Sequence, residues 1–509
     1  MKFNIQFRRD YPVVLLFLLT IAAVYFRSPE LGPSSLWLDD AWVALAIKQD
    51  WLEIIHTSLT SVGFKMLTGV MLHVFGNESL AAQFLPFTFG ILTIPLTYVV
   101  ARQLNLAPNF ALFAATLVAS SPTLVNYSIR VKQYTGDAFL TLIIVSLLLS
   151  LVSKSRNMYQ WVVFGVICSV CVVFSGQVMI SVACALFVAV LYTWNSNRGE
   201  SRIVIAVSLL TGLFILFWYF MIIKPNIHTG ILSYWKDEFI VMNSGFMEAV
   251  RSFSYLMGSV YYHAIGKNLF HIITSAVLTL LAIRLRTVTS LALLLPVLAA
   301  IILSILGKAP IGSRTDAYFI PLLILAVTIG VQSTLEHFRQ SGNTVLRRSG
   351  TFTCIFVMLA LLLWDLPARF LTGEYPKEDV RTVTGIWEEL KQQGDHTFVY
   401  SGARIAFHLY SSESLEILHE QEDYKQATIG SATVTLLDSR LRHQTDRYFE
   451  VIPNNIPANV SRLWLIAAHT GKLDLPVLKR AIPAAGFEKS RQWDTEGDAE
   501  LVLYLRKTE

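Results

Sequence analysis

The feature that most constrains this chain is a run of apolar residues long enough to cross a lipid bilayer, which recurs about eleven times. A membrane-spanning helix needs roughly 17–25 mostly apolar residues. The chain is 54% hydrophobic and 15% charged, whereas soluble domains carry about a quarter charged residues. The runs lie approximately at 10–27, 82–101, 108–125, 135–153, 159–175, 177–194, 203–223, 268–284, 288–306, 316–334 and 350–367. The sequence therefore predicts an α-helical polytopic membrane protein.

Basic residues in the loops predict the orientation of these helices. With a cytoplasmic N-terminus, most of the loop Lys and Arg residues fall inside, as the positive-inside rule requires. The inner loops hold Lys2, Arg8, Arg9, Arg102, Lys154, Arg156, Arg198, Arg202, Arg284, Arg286, Arg339, Arg347 and Arg348. An odd number of crossings places the C-terminus outside. We interpret the first run as a retained signal anchor, because the residues after it form a poor cleavage site.

Three segments are too polar to span, and all three fall on the outer side. They are residues 28–79, 224–267 and 372–509. We therefore expect a transmembrane domain at 1–370 and a small extracytoplasmic α/β domain at 371–509. In the tail, apolar residues recur at helical spacing in "DVRTVTGIWEELKQQGD". The stretches "HTFVYSG", "RLWLIAAH" and "ELVLYLRK" have strand patterns.

Charge and cysteine content exclude other classes. The net charge of +5 is modest and spread over many loops, so it gives no reason to expect a nucleic-acid partner. The 4 cysteines all lie inside apolar runs, which favours packing over redox or zinc chemistry. His263 and His271 lack the spacing of metal ligands, so we interpret them as packing or hydrogen-bonding residues.

Two adjacent acids follow the first apolar run, in "LWLDDAWVALAI". Asp39 or Asp40 could be the N-cap of the helix that follows, since Asp is favoured there. The apolar spacing from Val43 to Leu59 predicts an amphipathic helix on the membrane surface. A cap needs only one acid, so the pair also fits a general base at the outer headgroups.

Basic residues cluster in two short outer loops. The stretch "NYSIRVKQYTGD" carries Arg130, Lys132 and Tyr134, and "KAPIGSRTDAY" carries Lys308 and Arg314. They could be headgroup-anchoring side chains. They could also bind an anion, since positive charge outside opposes the inside bias.

Asp137 stands at the start of the membrane run that follows "NYSIRVKQYTGD". An acid at membrane depth is unfavourable and is usually functional or paired. Lys132 is the basic residue that it could neutralise.

The order of motifs resembles a family of membrane enzymes. "LWLDDAWVALAI" is followed by "GVMLHVFGNESLAAQFLPFTFGILTIPLTYVVARQLN" and then by "NFALFAATLVASSPTLVNYSIRVKQYTGDAFLTLIIVSLLL". This is similar to the polyprenyl-phosphate-dependent glycosyltransferases of the GT-C fold, which include protein O-mannosyltransferases, lipid A aminoarabinose transferases and their bacterial relatives. The resemblance covers the first 160 residues and returns at "GSRTDAYFIPLLILAVTIG".

The resemblance implies a transfer reaction and roles for the acid pair. A sugar would move, with inversion, from a polyprenyl-phosphate donor to a lipid, glycan or protein acceptor. Asp39 inherits the role of the base, and Asp40 stands where relatives usually carry Glu. Where relatives carry a Pro-rich stretch and an Arg, this chain has "GFKMLTG" and Gln83.

The leaving lipid phosphate needs positive charge beside it. Lys132, Arg130, Arg314 and Tyr134 would bind it, supported by Asp137 and Lys308. No cofactor is required, although two carboxylates and a phosphate could also hold a divalent cation.

Two other interpretations stay open. Many helices with intramembrane charges also suit a transporter or flippase of lipid-linked sugars, although we find no paired repeats or broken helices. The chain could also be a non-catalytic assembly subunit in which Asp39 only caps a helix.

Overall fold

The computed structural model describes most of the chain. The described residues are 7–32, 35–48, 60–153, 158–196, 198–227, 235–241, 245–266, 268–282, 287–312, 314–363, 378–441, 444–470, 474–495 and 497–507. They fall into two compact units. The first contains residues 1–31, 51–74 and 83–374, and the second contains 32–50, 75–82 and 375–509.

Helices account for most of the chain before residue 364. In order they are α1 (Phe7–Arg27), α2 (Leu38–Ala46), α3 (Val62–Phe75), α4 (Glu78–Gln103), α5 (Pro108–Ala119), α6 (Pro122–Tyr127), α7 (Tyr134–Val152), α8 (Met158–Phe174), α9 (Val178–Ser196), α10 (Arg198–Trp218), α11 (Phe246–Ala264), α12 (Leu269–Ala282), α13 (Thr287–Ile305), α14 (Ile320–Gln340) and α15 (Thr344–Leu363).

Six of the described helices are long and apolar enough to cross a bilayer, or seven if the bent pair α11 and α12 is one span. Shorter apolar helices are Tyr11–Arg27, Val62–Phe75, Pro108–Ala119, Met158–Phe174 and Leu291–Ile305. The chain is therefore an integral, mostly helical membrane protein. The expected number of about eleven crossings stays a prediction.

The apolar run at 108–125 shows why run length alone does not define a helix. It divides into α5 and α6 at Ser120 and Ser121, because Pro122 begins the second helix. The residue before a proline is pushed out of the helical conformation, and Ser121 is extended with ψ 123°. The predicted outer segment 224–267 likewise contains a helix of its own, α11.

The core of the first unit centres on α14. Most of this helix is buried, and it packs against α5, α12, α13 and α15. Helix α14 approaches α12 closely at Gly330, because a Cβ at this position would lie 2.2 Å from the carbonyl oxygen of Leu278 on α12. Small residues allow membrane helices to approach each other this closely.

The second unit is built on a seven-stranded mixed sheet, which confirms the α/β fold predicted for the tail, although the sequence pattern marked three of these strands. Its elements are α16 (Val380–Leu390), β1 (His396–Val399), α17 (Arg404–Tyr410), β2 (Glu416–Glu420), β3 (Tyr424–Ile429), β4 (Ala432–Leu437), α18 (Tyr448–Asn454), β5 (Arg462–Ala467), α19 (Asp474–Ala484), β6 (Phe487–Asp494) and β7 (Glu500–Arg506). The strand order is β2-β3-β4-β1-β5-β7-β6. Strand β1 pairs in parallel with both β4 and β5, so the carboxyl ends of three strands share one edge of the sheet.

Replacing Gly330 with alanine should destabilise the first unit. The added methyl group would meet backbone atoms of Leu278, and such overpacking costs about 1–3 kcal/mol. Gly212→Ala is the matched control, because no atom lies within 4 Å of the position that its methyl group would take. We expect thermal unfolding in detergent to show a lower transition for Gly330→Ala alone. Equal transitions for both variants would contradict the close contact.

Candidate functional site

The two adjacent acids lie in the first turn of α2. The helix begins at Leu38, and its N-cap is Trp37, which makes no side-chain capping bond. Neither Asp39 nor Asp40 is the N-cap of α2, so the prediction that one of them caps this helix is wrong. Negative charge in a first turn is still favoured by the helix dipole. The helix ends at Ala46, and residues 49–59 of the predicted surface helix lie outside the described part of the chain.

The two acids differ in their exposure. Asp40 is completely buried, whereas Asp39 is half-buried. Helix α2 buries Ala41, Val43 and Ala44 and packs against α17 within the second unit. Its apolar face is thus covered by protein rather than by the membrane surface that we expected.

Residues of the C-terminal tail hold the chain that leads into α2. The Tyr410 hydroxyl accepts a hydrogen bond from the Leu36 amide at 2.6 Å. Glu378 Oε2 accepts from the Leu38 amide at 3.3 Å. Burial raises the pKa of Tyr410, and the bond from Leu36 only partly opposes this. The acid pair is therefore anchored to residues more than 300 positions later in the sequence.

Charged side chains also anchor the C-terminal end of the segment 35–48. Lys48 forms an ion pair with Glu78 at 2.5 Å and donates to the Leu409 carbonyl at 3.2 Å. Arg381 donates to Ser79 Oγ at 3.0 Å, and its guanidinium lies 4.6 Å from the centre of the Tyr410 ring. The pieces of the second unit are thus joined by polar contacts as well as by packing.

In the first unit, aromatic rings and a buried amide support the Arg130 loop. Gln83 is buried and donates to the Ile129 carbonyl at 3.0 Å. The Arg130 guanidinium lies 5.6 Å from the centre of the Tyr127 ring, which meets Tyr134 edge-to-face at 4.8 Å. Gln83, which stands where relatives carry Arg, therefore anchors the backbone of this loop.

Lys132 and Asp137 occupy different environments in the same loop region. Lys132 is half-buried, and Asp137 is completely buried in the first turn of α7. Neither carboxylate oxygen of Asp137 has a hydrogen-bond partner among the described residues. The Ser175 hydroxyl lies beside it without completing a bond of regular geometry. The expected pairing with Lys132 is thus not formed by a hydrogen bond.

Arg314 belongs to a tight 3₁₀ turn, Arg314–Tyr318. Asp316 Oδ2 accepts from the Gly312 amide at 2.6 Å, and Gly312 has a φ of 98°, which favours glycine. The Arg314 guanidinium lies 5.0 Å from the centre of the Trp235 ring. Burial raises the pKa of Glu238, and the positive charge of Arg314 partly opposes it.

The turn that carries Arg314 packs against α6 and α7, next to the Arg130 loop. Tyr318, the last residue of this turn, is 2% exposed. The first unit therefore groups most of the predicted phosphate-binding residues on adjoining elements. Lys308 is exposed in the loop before the turn. Asp39 and Asp40 belong to the second unit.

Two buried cations of the first unit were missed by the sequence reasoning. Arg27, at the end of α1, is 3% exposed and donates through Nη2 to the Ala119 carbonyl at 2.8 Å. Lys65 is completely buried in α3. The sequence signal that could have found them is a basic residue at the end of an apolar run, as for Arg27, or within a short apolar stretch, as for Lys65.

No group of three or more His, Cys, Asp or Glu side chains that could hold a metal ion occurs among the described residues. His271 is buried and hydrogen-bonded to Asn268 at 2.6 Å, in line with the structural role expected for it. All four cysteines are buried and free. The divalent cation that two carboxylates and a phosphate could hold stays a prediction.

Solved structures of membrane glycosyltransferases share this fold. ArnT from Cupriavidus metallidurans bound to undecaprenyl phosphate matches with a TM-score of 0.56 and 12% identity, over 97% of each chain. The apo state of the same protein matches with a TM-score of 0.55 and 11% identity, over 96% of this chain and 98% of that one.

A third match extends the likeness to another enzyme. It is the Archaeoglobus fulgidus oligosaccharyltransferase in complex with Zn and sulfate, with a TM-score of 0.50 and 12% identity, over 95% of this chain and 72% of that one. No protein-family profile matches the chain, and no curated protein matches it in sequence. The resemblance to the GT-C glycosyltransferases is thus confirmed at the level of the fold.

Removing the Asp316 carboxylate should loosen the Arg314 turn. A hydrogen bond to a charged group contributes about 1.5–3 kcal/mol, so Asp316→Ala should speed amide exchange at 311–319 by roughly tenfold to hundredfold. Hydrogen-exchange mass spectrometry measures this directly. Asp237→Ala, at an exposed acid in the 3₁₀ turn Lys236–Glu238, is the control. Unchanged exchange in Asp316→Ala would show that the turn is held by packing alone.

Proposed function

We propose that the chain is a glycosyltransferase that moves a sugar from a polyprenyl-phosphate donor to a hydroxyl or amine acceptor on the outer face of the membrane. The shared fold supports the reaction class. The N-terminus is cytoplasmic in this proposal, and the C-terminal unit is extracytoplasmic. The donor fits the solved relative that holds undecaprenyl phosphate.

The observation that carries the proposal is the asymmetry of the acid pair. Asp39 is half-buried in the first turn of α2, whereas Asp40 is completely buried. Of the two acids Asp39 is the more exposed, so we assign the role of general base to Asp39. Asp40 supports the turn from within the protein.

The reaction is a single displacement at the anomeric carbon. Asp39 takes the proton of the acceptor as the acceptor atom bonds to this carbon. The bond to the phosphate oxygen breaks at the same time, and its electron pair leaves with the lipid phosphate. Attack on the face opposite the leaving group inverts the configuration.

Negative charge develops on the phosphate as the bond breaks, and fixed cations stabilise it. Lys132, Arg130 and Arg314 supply this charge in the proposal, with Tyr134 as a hydrogen-bond donor. Guanidinium groups suit the role because they donate in a planar fork to phosphate oxygens. Asp137 and the exposed Lys308 have supporting roles.

A transporter of lipid-linked sugars is the second candidate. The buried charges Arg27, Lys65 and Asp137 favour it, because such groups in membrane proteins often mark a substrate pathway. Sugar-lipid translocation in vesicles that survives loss of both Asp39 and Asp40 would support this candidate over the enzyme.

Replacing Asp39 with asparagine should lower sugar transfer by about 10²–10⁴-fold, the usual contribution of a general base. Purified protein would be given a polyprenyl-phosphate donor with a radiolabelled sugar and envelope membranes as the acceptor pool. The assay measures label that leaves the lipid for the acceptor fraction. Asp446→Asn, at an exposed acid of the second unit, should match the unmodified protein. Full turnover in Asp39→Asn would remove Asp39 as the base.

A further inference from the structure

Glu378 is a buried acid of the second unit that no local sequence pattern marks. Its side chain is 6% exposed, and its two carboxylate oxygens bind different parts of the second unit. Oε2 accepts from the Leu38 amide at 3.3 Å, and Oε1 lies 2.7 Å from Nδ1 of His469. One buried carboxylate thus connects the first residue of the acid-pair helix to the loop after β5.

We propose that Glu378, oriented by His469, is a positioning residue for Asp39. The proposal rests on the proposed function, since it assigns Glu378 a role in holding the general base. Asp39 is the residue directly after Leu38. The point at which α2 begins therefore fixes where the Asp39 carboxylate projects.

The backbone at His469 favours this assignment. His469 has a φ of 52°, a left-handed conformation that is uncommon for residues other than glycine. Such conformations persist where the surroundings enforce them, and they concentrate at functional sites. The loop after β1 packs closely against this backbone, because a Cβ on Gly402 would lie 2.3 Å from the Ala468 carbonyl oxygen and 2.8 Å from the Cβ of His469.

The residue before α2 meets the same imidazole. The rings of Trp37 and His469 pack edge-to-face with centroids 5.6 Å apart, and the Trp37 indole nitrogen lies 3.3 Å from Nδ1. The Nδ1–H group of His469 donates to Glu378 Oε1, so Trp37 contacts the imidazole through ring packing rather than through a second hydrogen bond at Nδ1. Both contacts locate the start of α2 at the carboxyl edge of the parallel strands β1 and β5, where α/β sheets commonly place functional groups.

Positional precision matters more than stability in this arrangement. A misplacement of about 1 Å in a catalytic group can cost about a hundredfold in rate. Other contacts, such as that between Leu36 and Tyr410, also hold the segment, so loss of Glu378 should leave the unit folded. A purely structural role predicts lower stability and a lower yield of active protein, but no specific coupling to Asp39.

The test combines three variants with a matched control. Glu378→Ala removes both contacts, whereas Glu378→Gln keeps a carbonyl oxygen that accepts from the Leu38 amide, and its NH2 group donates to His469 Nδ1 once the imidazole carries its proton on Nε2. Asp395→Asn is the control, because Asp395 is also a buried carboxylate with an ion pair, to Arg462, but it precedes the opposite end of β1. Asp39→Asn supplies the background for a double-mutant cycle.

In the transfer assay we expect Glu378→Ala to lower kcat by about tenfold to hundredfold, with the donor KM changed by less than about twofold. Glu378→Gln should recover most of this loss. In the Asp39→Asn background, Glu378→Ala should change residual transfer by less than about threefold, because residues that act as a unit are non-additive. Hydrogen exchange of peptide 35–47 should increase in Glu378→Ala and stay normal in Asp395→Asn.

The outcomes separate the two proposals. Full activity in Asp39→Asn would overturn the assignment of the base, whatever Glu378 does. Loss of activity in Asp39→Asn together with an unchanged kcat in Glu378→Ala would overturn the positioning role alone. The positioning role would also be overturned if the fold-losses in kcat of the two single variants multiplied in the double variant. Equal losses of kcat per folded molecule in Glu378→Ala and Asp395→Asn would overturn it as well.

Discussion

The hydrocarbon core of the bilayer offers no partner for a free backbone amide or carbonyl, and the architecture follows from that constraint. Backbone that crosses the membrane must satisfy its hydrogen bonds internally, so the apolar runs become helices. Polar chemistry is left to the segments between them and to a few buried side chains. The 3₁₀ turn Arg314–Tyr318 and the loop of Arg130 and Lys132 are such segments, and both adjoin α7.

The second unit is assembled from pieces that are distant in sequence. Residues 32–50 and 75–82 join the tail, and the bond between Leu38 and Glu378 spans 340 positions. Such contacts close very long loops, and their entropic cost is balanced only when the whole unit forms. The acid-pair helix, with its completely buried Asp40, therefore depends on the tail for its packing. In the proposed function, the tail therefore helps to hold the acid pair in place.

The sequence was informative wherever a local pattern decides the structure. Apolar length predicted the membrane helices, short apolar stretches predicted β1 and β5, and alternation predicted β7. It was less informative at boundaries: Pro122 divides one predicted run, and the N-cap of α2 is Trp37 rather than an aspartate. Glu378 and His469 could not be predicted, because no local pattern marks two residues that meet only after a sheet has formed.

The central claim is that the protein uses a polyprenyl-phosphate donor, and mass spectrometry of copurifying lipid tests it most directly. We expect polyprenyl phosphate or its glycosylated form to accompany the unmodified protein. The lipid should be depleted in a variant with both Lys132→Gln and Arg314→Gln, since phosphate binding depends on their charge. Protein that carries only bulk phospholipid, even after polyprenyl phosphate is added during purification, would contradict the account.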